Sequence, residues 1–361
     1  MNRLARTGIM IKGQLVRIRI RRIICDTPTK NLLKRTSGHS SINGCGRCDT
    51  VAVKIDDNIV CISVGNARTD EDFRLFADLN HLLDVSPLVA LEPSIDMILT
   101  FMLDIMHLFY LGIRLRLFQY WNEGEPAVTL SAGQREELNR RTEMLKKDIP
   151  YEFKRKMRPT NHYKDYKATD HRFFVKYCGS VVLKKILSNE CYDHFLLFHV
   201  ACRMLSRKKA STHSRLALAQ QYLSQFVETF KILYGLKFVS LNVHSLHHVV
   251  DDVNSGCDVN DLAASPFKSD LLKAKHLLRS SHNTLAQCSR RIFEERSVIR
   301  KSLYAQPCDS SLLNILEIDP KPLTRQSRII TFDGIVTKLV RISINYAKND
   351  PLRTFVFPLL H

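Results

Sequence analysis

Between Thr69 and Tyr234 apolar residues recur at helical spacing in block after block, a period that strands, with their two-residue alternation, do not produce. Blocks open at Thr69, near Ser94, at Ser131, at Thr169 and at His213. Ser131-Ala132-Gly133-Gln134 is a capping box, and Thr69-Asp70-Glu71-Asp72 resembles one with Asp in place of Glu or Gln. The block from about 94 to 121 is the most apolar and is expected to form one long helix. Asp104 and His107 interrupt its greasy stretch, so it reads as a buried helix and not a membrane span. Ahead of this region Val16, Ile18 and Ile20 alternate with Arg17, Arg19 and Arg21 and run into Ile23-Ile24-Cys25, the pattern of a strand. Asp26-Thr27-Pro28 ends that strand and caps a helix, with Gly38 as its stop. The expected fold class is therefore α+β, predominantly helical.

Two hairpins are expected, one with Asp56-Asp57-Asn58 at its tip and one around Asp333-Gly334 within 328–344. The apolar end, Phe355 to Leu360, carries no assignment from pattern alone. Pro150, Pro159 and a run of Lys and Arg make 148–168 an exposed basic connection.

Lys and Arg number 54 against 36 Asp and Glu, a net charge of +18 that favours polyanionic partners, DNA among them. Arg17 and Arg19, with Arg21 and Arg22, form one group suited to tracking phosphates; Lys154, Arg155 and Lys156, with Arg158, form a second. The ten cysteines show no disulfide rhythm, which points to a reducing compartment, nucleus or cytoplasm. The start of the chain lacks the apolar core of a signal peptide.

Cys45-x-x-Cys48, in a glycine turn, is half of a tetrahedral zinc site; by itself it reads equally as a buried pair. The best further donors are His244 and His248, whose i, i+4 spacing puts both imidazoles on one helix face, with His247 turned away. Spacing alone does not bring the two pairs together. Asp26 sits at the carboxyl end of a strand, where α/β proteins place their chemistry. Asp104 and His107, inside an apolar helix, need partners: they either adjoin an active site or form the helix's polar edge. Asp170, at a helix start, is accounted for by the helix dipole.

Read in order, these segments resemble the CACTA (En/Spm)-type transposase-like proteins. Ile24-Cys25-Asp26-Thr27-Pro28-Thr29 looks like their "CDAPAR", Gly44-Cys45-Gly46-Arg47-Cys48 their "GCxKC", and Arg68 to Arg74 their "RTDxxFR". Leu103 to Leu108 with Leu111-Gly112 is similar to "DxMHLxxLG", Tyr166 to Arg172 to "KATExR", and Tyr234-Gly235 with Asn242 to His248 to "YG…NxHxLxHL". The likeness spans roughly 14 to 300. It implies a partial RNase H-like core whose first strand is missing, pinned to a large all-α insertion by structural Zn²⁺ on Cys45, Cys48, His244 and His248. Segments of 1–66 (core strands and CxxC hairpin), 67–240 (insertion), 241–304 (histidine pair and core helices) and 305–361 (divergent tail) follow from it.

In that family three carboxylates hold two divalent ions, usually Mg²⁺, for in-line attack on DNA. The resemblance makes Asp26 the second of them. The segment matching the family's "SAFPFEN" reads Ala263-Ala264-Ser265-Pro266-Phe267-Lys268-Ser269, so Lys268 stands at the position of the catalytic Glu. A cation there repels Mg²⁺. The expectation is a catalytically inactive, transposase-derived DNA-binding protein, nuclear, able to form homo-oligomers and without membrane contact. Two alternatives stand beside it: an active nuclease using Asp170 or Asp104 as its third acid, with Mg²⁺, and a helical protein-interaction scaffold.

Overall fold

The computed structural model describes residues 6–11, 14–17, 19–149, 153, 157–206, 213–254, 258–304, 339–344 and 353–358. Helix outweighs strand, and the class is α+β as expected. The chain divides into two compact units, each assembled from discontinuous segments: 1–35, 84–102 and 264–361 form one, 36–83 and 103–263 the other. Among the described residues no helix is long and apolar enough to cross a membrane.

The first unit contains a mixed sheet. The single strand expected over 16–25 is instead two: β2 (Gln14–Val16), which pairs antiparallel with β1 (Ile9–Ile11), and β3 (Ile20–Ile24). The strict alternation fails at Arg22, which is buried beside Ile23 and Ile24. Parallel to β3 runs β6 (Phe101–Met102), with Ile23 opposite Phe101 and Ile24 opposite Met102. On the other side β3 pairs antiparallel with β7 (Leu339–Ile344), and β7 with β8 (Arg353–Pro358). The terminal hairpin thus joins 339–344 to 353–358, and the expected Asp333-Gly334 turn lies outside the described residues. Helix α1 (Thr27–Lys34) follows β3, started by Asp26, whose carboxylate accepts from the Thr29 amide at 2.9 Å. It stops earlier than Gly38, at Arg35, which takes a left-handed φ of 56°.

The long helix expected from 94 to 121 is broken. Asp96 accepts from the amides of Ile98 (2.7 Å) and Leu99 (2.5 Å), closing a local turn that competes with helix. Phe101 and Met102 spend their backbone on the sheet, and Asp104 starts the helix anew by accepting from the Met106 amide at 3.0 Å.

In the second unit helix α3 (Met106–Arg114) is wound as a π-helix and continues directly into α4 (Leu115–Glu123). Against it pack α6 (Ala168–Phe173), α8 (Asn189–Leu205) and α9 (His213–Tyr234), while α5 (Ala132–Leu145) packs on the short α7 (Gly179–Val182). The Ser131–Gln134 capping box is complete, at 2.8 and 3.2 Å. Before α2 (Asp70–Arg74) only half forms, because the Asp72 carboxylate accepts from the Thr69 hydroxyl (2.7 Å) and not from its amide. The block expected from 169 to 204 breaks at Lys185, which has a φ of 62°.

Aromatic rings fill this core. Phe109 meets Phe198 edge-on (5.3 Å), Phe118 meets Phe174 (5.0 Å), and Trp121 donates to the Tyr234 hydroxyl at 3.1 Å. Arg114 is buried among them, its guanidinium 3.6 Å from the Phe118 ring centre and 4.4 Å from that of Phe174. It donates to His171 Nδ1 at 2.7 Å; burial first, then the Arg114 charge, pulls His171 down to about 2, so the imidazole stays neutral. Phe226, fully buried and stacked on His194, is the test of this packing. Phe226→Ala is expected to destabilise the fold by about 3–5 kcal/mol, read from the urea midpoint, while Ile232→Ser on the exposed side of the same helix shifts it by less than about 0.5 kcal/mol.

Candidate metal centre

The second unit brings Cys45, Cys48, His244 and His248 together. All four are buried, and one ligand atom from each lies within 4.8 Å of the other three. The sequence makes the cysteine turn possible: a Cβ on Gly44 would lie 2.7 Å from the carbonyl oxygen of Gly38, so only glycine fits. The turn is held by backbone bonds from Arg68 to Arg47 O (2.9 Å) and from Asp49 to Asn66 O (2.9 Å). Behind it stands the hairpin of β4 (Val53–Ile55) and β5 (Asn58–Val60), its tip at Asp56 and Asp57 as expected.

The histidines come from a continuous helical run in which α10 (Leu241–His244) tightens into a 3₁₀ turn over Ser245–His248 and continues as α11 (Val249–Asn254). Gly112 of the π-helix lets this run approach, since a Cβ there would press on the Asn242 amide at 3.2 Å. His247 points away, toward the Ser224 hydroxyl at 3.3 Å, and burial, then the two neighbouring histidines, pull it down to about 4.

Four of the six donor–donor spacings are close to those of a tetrahedron. Cys45 Sγ and Cys48 Sγ are 3.6 Å apart, Cys45 Sγ and His248 Nε2 3.7 Å, Cys48 Sγ and His244 Nε2 3.3 Å, and the two Nε2 atoms 3.3 Å. Zinc bonds of about 2.3 Å to sulfur and about 2.0–2.1 Å to nitrogen would separate S from S by about 3.8 Å, N from N by about 3.4 Å, and S from N by about 3.6 Å. Each of these four spacings falls within about 0.3 Å of its counterpart. Two sulfurs and two imidazole nitrogens are a donor set that could hold a metal ion and is compatible with zinc. An ion bound by all four would have its tetrahedral shell filled by protein donors. The Cys48 thiol, bonded to Cys45, together with the Arg47 and Cys48 amides, outweighs burial and holds Cys45 at about 6, favouring the thiolate a metal needs. Cys61 lies outside the group; burial, then the neighbouring thiols, push it up to about 12.

Around the four donors is a shell that sequence reading missed. Arg47, inside the CxxC turn, forms a buried ion pair with Asp252, which also accepts from the Leu103 amide at 2.6 Å. Arg68 donates to the Cys45 carbonyl (3.0 Å) and to Asp78 (2.7 Å). The signal was present in part: Asp252 continues the series His244, His248 by another four residues, placing a carboxylate on the ligand face.

The other candidates divide. Asp104 and His107 bond to each other, the carboxylate buried and the imidazole half exposed, which answers the need for a partner. Asp170 caps its helix by accepting from the Lys167 amide at 2.8 Å. Asp26, half-buried, belongs to the first unit and acts there as a helix cap. Lys268 lies in the helix Ser265–His276, its side chain outside those described. Arg17 and Arg19 are exposed, whereas Lys154, Arg155 and Lys156 lie outside the described residues. No family model, no curated protein and no solved structure matches the chain.

Breaking the Arg47–Asp252 pair from one side leaves a buried charge. Asp252→Ala is expected to lower stability by about 3–5 kcal/mol in urea titrations, and the double variant Arg47→Met, Asp252→Leu to recover part of that loss.

Proposed function

We propose that this chain is a transposase-derived DNA-binding protein of the CACTA type, held together by a structural zinc ion and without strand-cleaving activity. One observation carries the reading: four donors separated by close to two hundred positions converge at tetrahedral spacing, and they are the four that the resemblance selects. Zinc there ties the cysteine turn to the α10–α11 run, and with all four positions taken by protein it plays no part in cleavage. The net charge of +18 and the exposed Arg17 and Arg19 support binding to a polyanion. Lysine at position 268, where the resemblance expects a carboxylate for Mg²⁺, argues against two-metal chemistry. Asp170 and Asp104, the substitutes an active nuclease would need, are each engaged in a local cap or pair.

Purified protein is expected to carry about one zinc per chain by elemental analysis, and Cys48→Ser or His244→Ala to lose it. Because Cys45 is held down to about 6, it is a thiolate at neutral pH and takes up a proton as pH falls through that value. Release of zinc to a chromogenic chelator should therefore rise between about pH 7 and pH 5. Retention of all zinc across that range would count against coordination by these residues.

Duplex DNA should bind with a log–log salt slope of several units, and incubation with Mg²⁺ should leave supercoiled plasmid intact. Nicking that Asp26→Asn abolishes would overturn the inactive reading, and the absence of salt-dependent retention would overturn DNA binding.

A further inference from the structure

Away from the metal centre, the second unit holds a pair of cations that share one neutral amide acceptor. Arg172, exposed on α6, donates to Asn260 Oδ1 at 3.1 Å, and Lys176, one helical turn on, donates to the same oxygen. Lys176 is only 5 % exposed. Among the described residues neither cation forms an ion pair, although a buried ammonium ordinarily requires one. The shared acceptor is a neutral amide, and its orientation is fixed: Asn260 Nδ2 donates to Asp258 Oδ1 at 2.7 Å and to Ser206 O at 3.4 Å, which leaves Oδ1 to face the cations. Asp258 accepts the Asn260 amide at 2.8 Å through the same Oδ1, and its Oδ2 is buried without a hydrogen-bond partner among the described residues. Burial first, then the Arg172 charge, pull Lys176 down to about 8, against the opposing influence of Cys202 and Asp258. A guanidinium has five N–H donors and an ammonium three, and one from each serves Asn260.

We infer that Arg172, Lys176 and Asn260 form a phosphate-binding site that takes a backbone phosphodiester of the bound nucleic acid. The inference rests on the DNA-binding reading above and gives it a place. Arg172 offers the planar fork suited to phosphate oxygens from the solvent side, and Lys176 supplies a point charge from within. Asn260 keeps the two cations together in the absence of the anion. A carboxylate at position 260 would neutralise the pair and remove the attraction, and the amide does not.

Two readouts on the full chain, with zinc content and melting temperature confirming the fold of each variant, decide the matter. The salt dependence of affinity for a duplex is compared among wild type, Arg172→Gln, Lys176→Gln and the control Arg140→Gln on α5. Loss of the site is expected to reduce the magnitude of the log–log slope by about one in Arg172→Gln, with no such change in the control. Should Lys176→Gln fail to fold, Arg172→Gln, altered at an exposed position, carries the test alone. Separately, inorganic phosphate is titrated while the side-chain NMR signals of Arg172 and Lys176 are followed, and both are expected to move. A wild-type slope in Arg172→Gln, or signals that ignore phosphate, overturns the site and leaves DNA binding standing. Phosphate-dependent shifts in a protein that does not retain DNA would leave an anion site and sink the DNA-binding reading.

Discussion

Two thiols and two imidazoles converge in the second unit, and the architecture around them follows from that closure. The loop between Cys48 and His244 spans most of the helical bundle, so joining its ends is an entropic task that local propensity cannot perform. A metal ion held by all four donors would perform it in one step. The Arg47–Asp252 pair closes nearly the same loop a second time, and the Leu103 amide on Asp252 brings the start of the π-helix to the same point. Breaking either connection exposes the other, because a buried charge or a buried thiolate is left without its partner.

Three buried cations in this unit are accommodated in three ways. Arg47 has a carboxylate. Arg114 has aromatic faces and a neutral imidazole, an arrangement that works because the Phe118 and Phe174 rings present electron density where the guanidinium is planar. Lys176 has only an oriented amide and a shared neighbour. Arg47 is paired outright, Arg114 keeps two buried nitrogens, Nε and Nη2, without hydrogen-bond partners among the described residues, and Lys176 lies beside the exposed Arg172, where the proposed anion would bind. The excess of 54 basic over 36 acidic residues makes such a division natural, since there are not enough carboxylates to pair every cation.

The helical class, the complete capping box at Ser131 and the hairpin tip at Asp56 and Asp57 were legible because each depends on residues within a few positions of one another. So was the face shared by His244 and His248. Failures fell where a competing local bond or a distant partner intervened. Asp96 and Asp104 each capture nearby amides, and between them Phe101 and Met102 find Ile23 and Ile24 as sheet partners, so an apolar run that is periodic enough for a helix is divided. The apolar end of the chain had no assignment from pattern because a strand hidden on both sides and a buried helix look alike over six residues; its pairing with Leu339–Ile344 supplied the difference. Arg22 broke an otherwise clean alternation because β3 is flanked by strands on both sides and buries more than one face.

The chain's own order of residues determined which side chains are fit for metal: thiolates three apart in a glycine turn, and imidazoles four apart on a helix. Coordination chemistry restricts the types, and backbone geometry restricts the spacing, so both can be read locally. Whether those pairs meet, and that Arg47 and Asp252 buttress them while Arg172 and Lys176 face one amide, was decided only by tertiary structure. Such contacts depend on the path of the chain between distant positions, and that path is set by the packing of the whole bundle and not by any stretch within it.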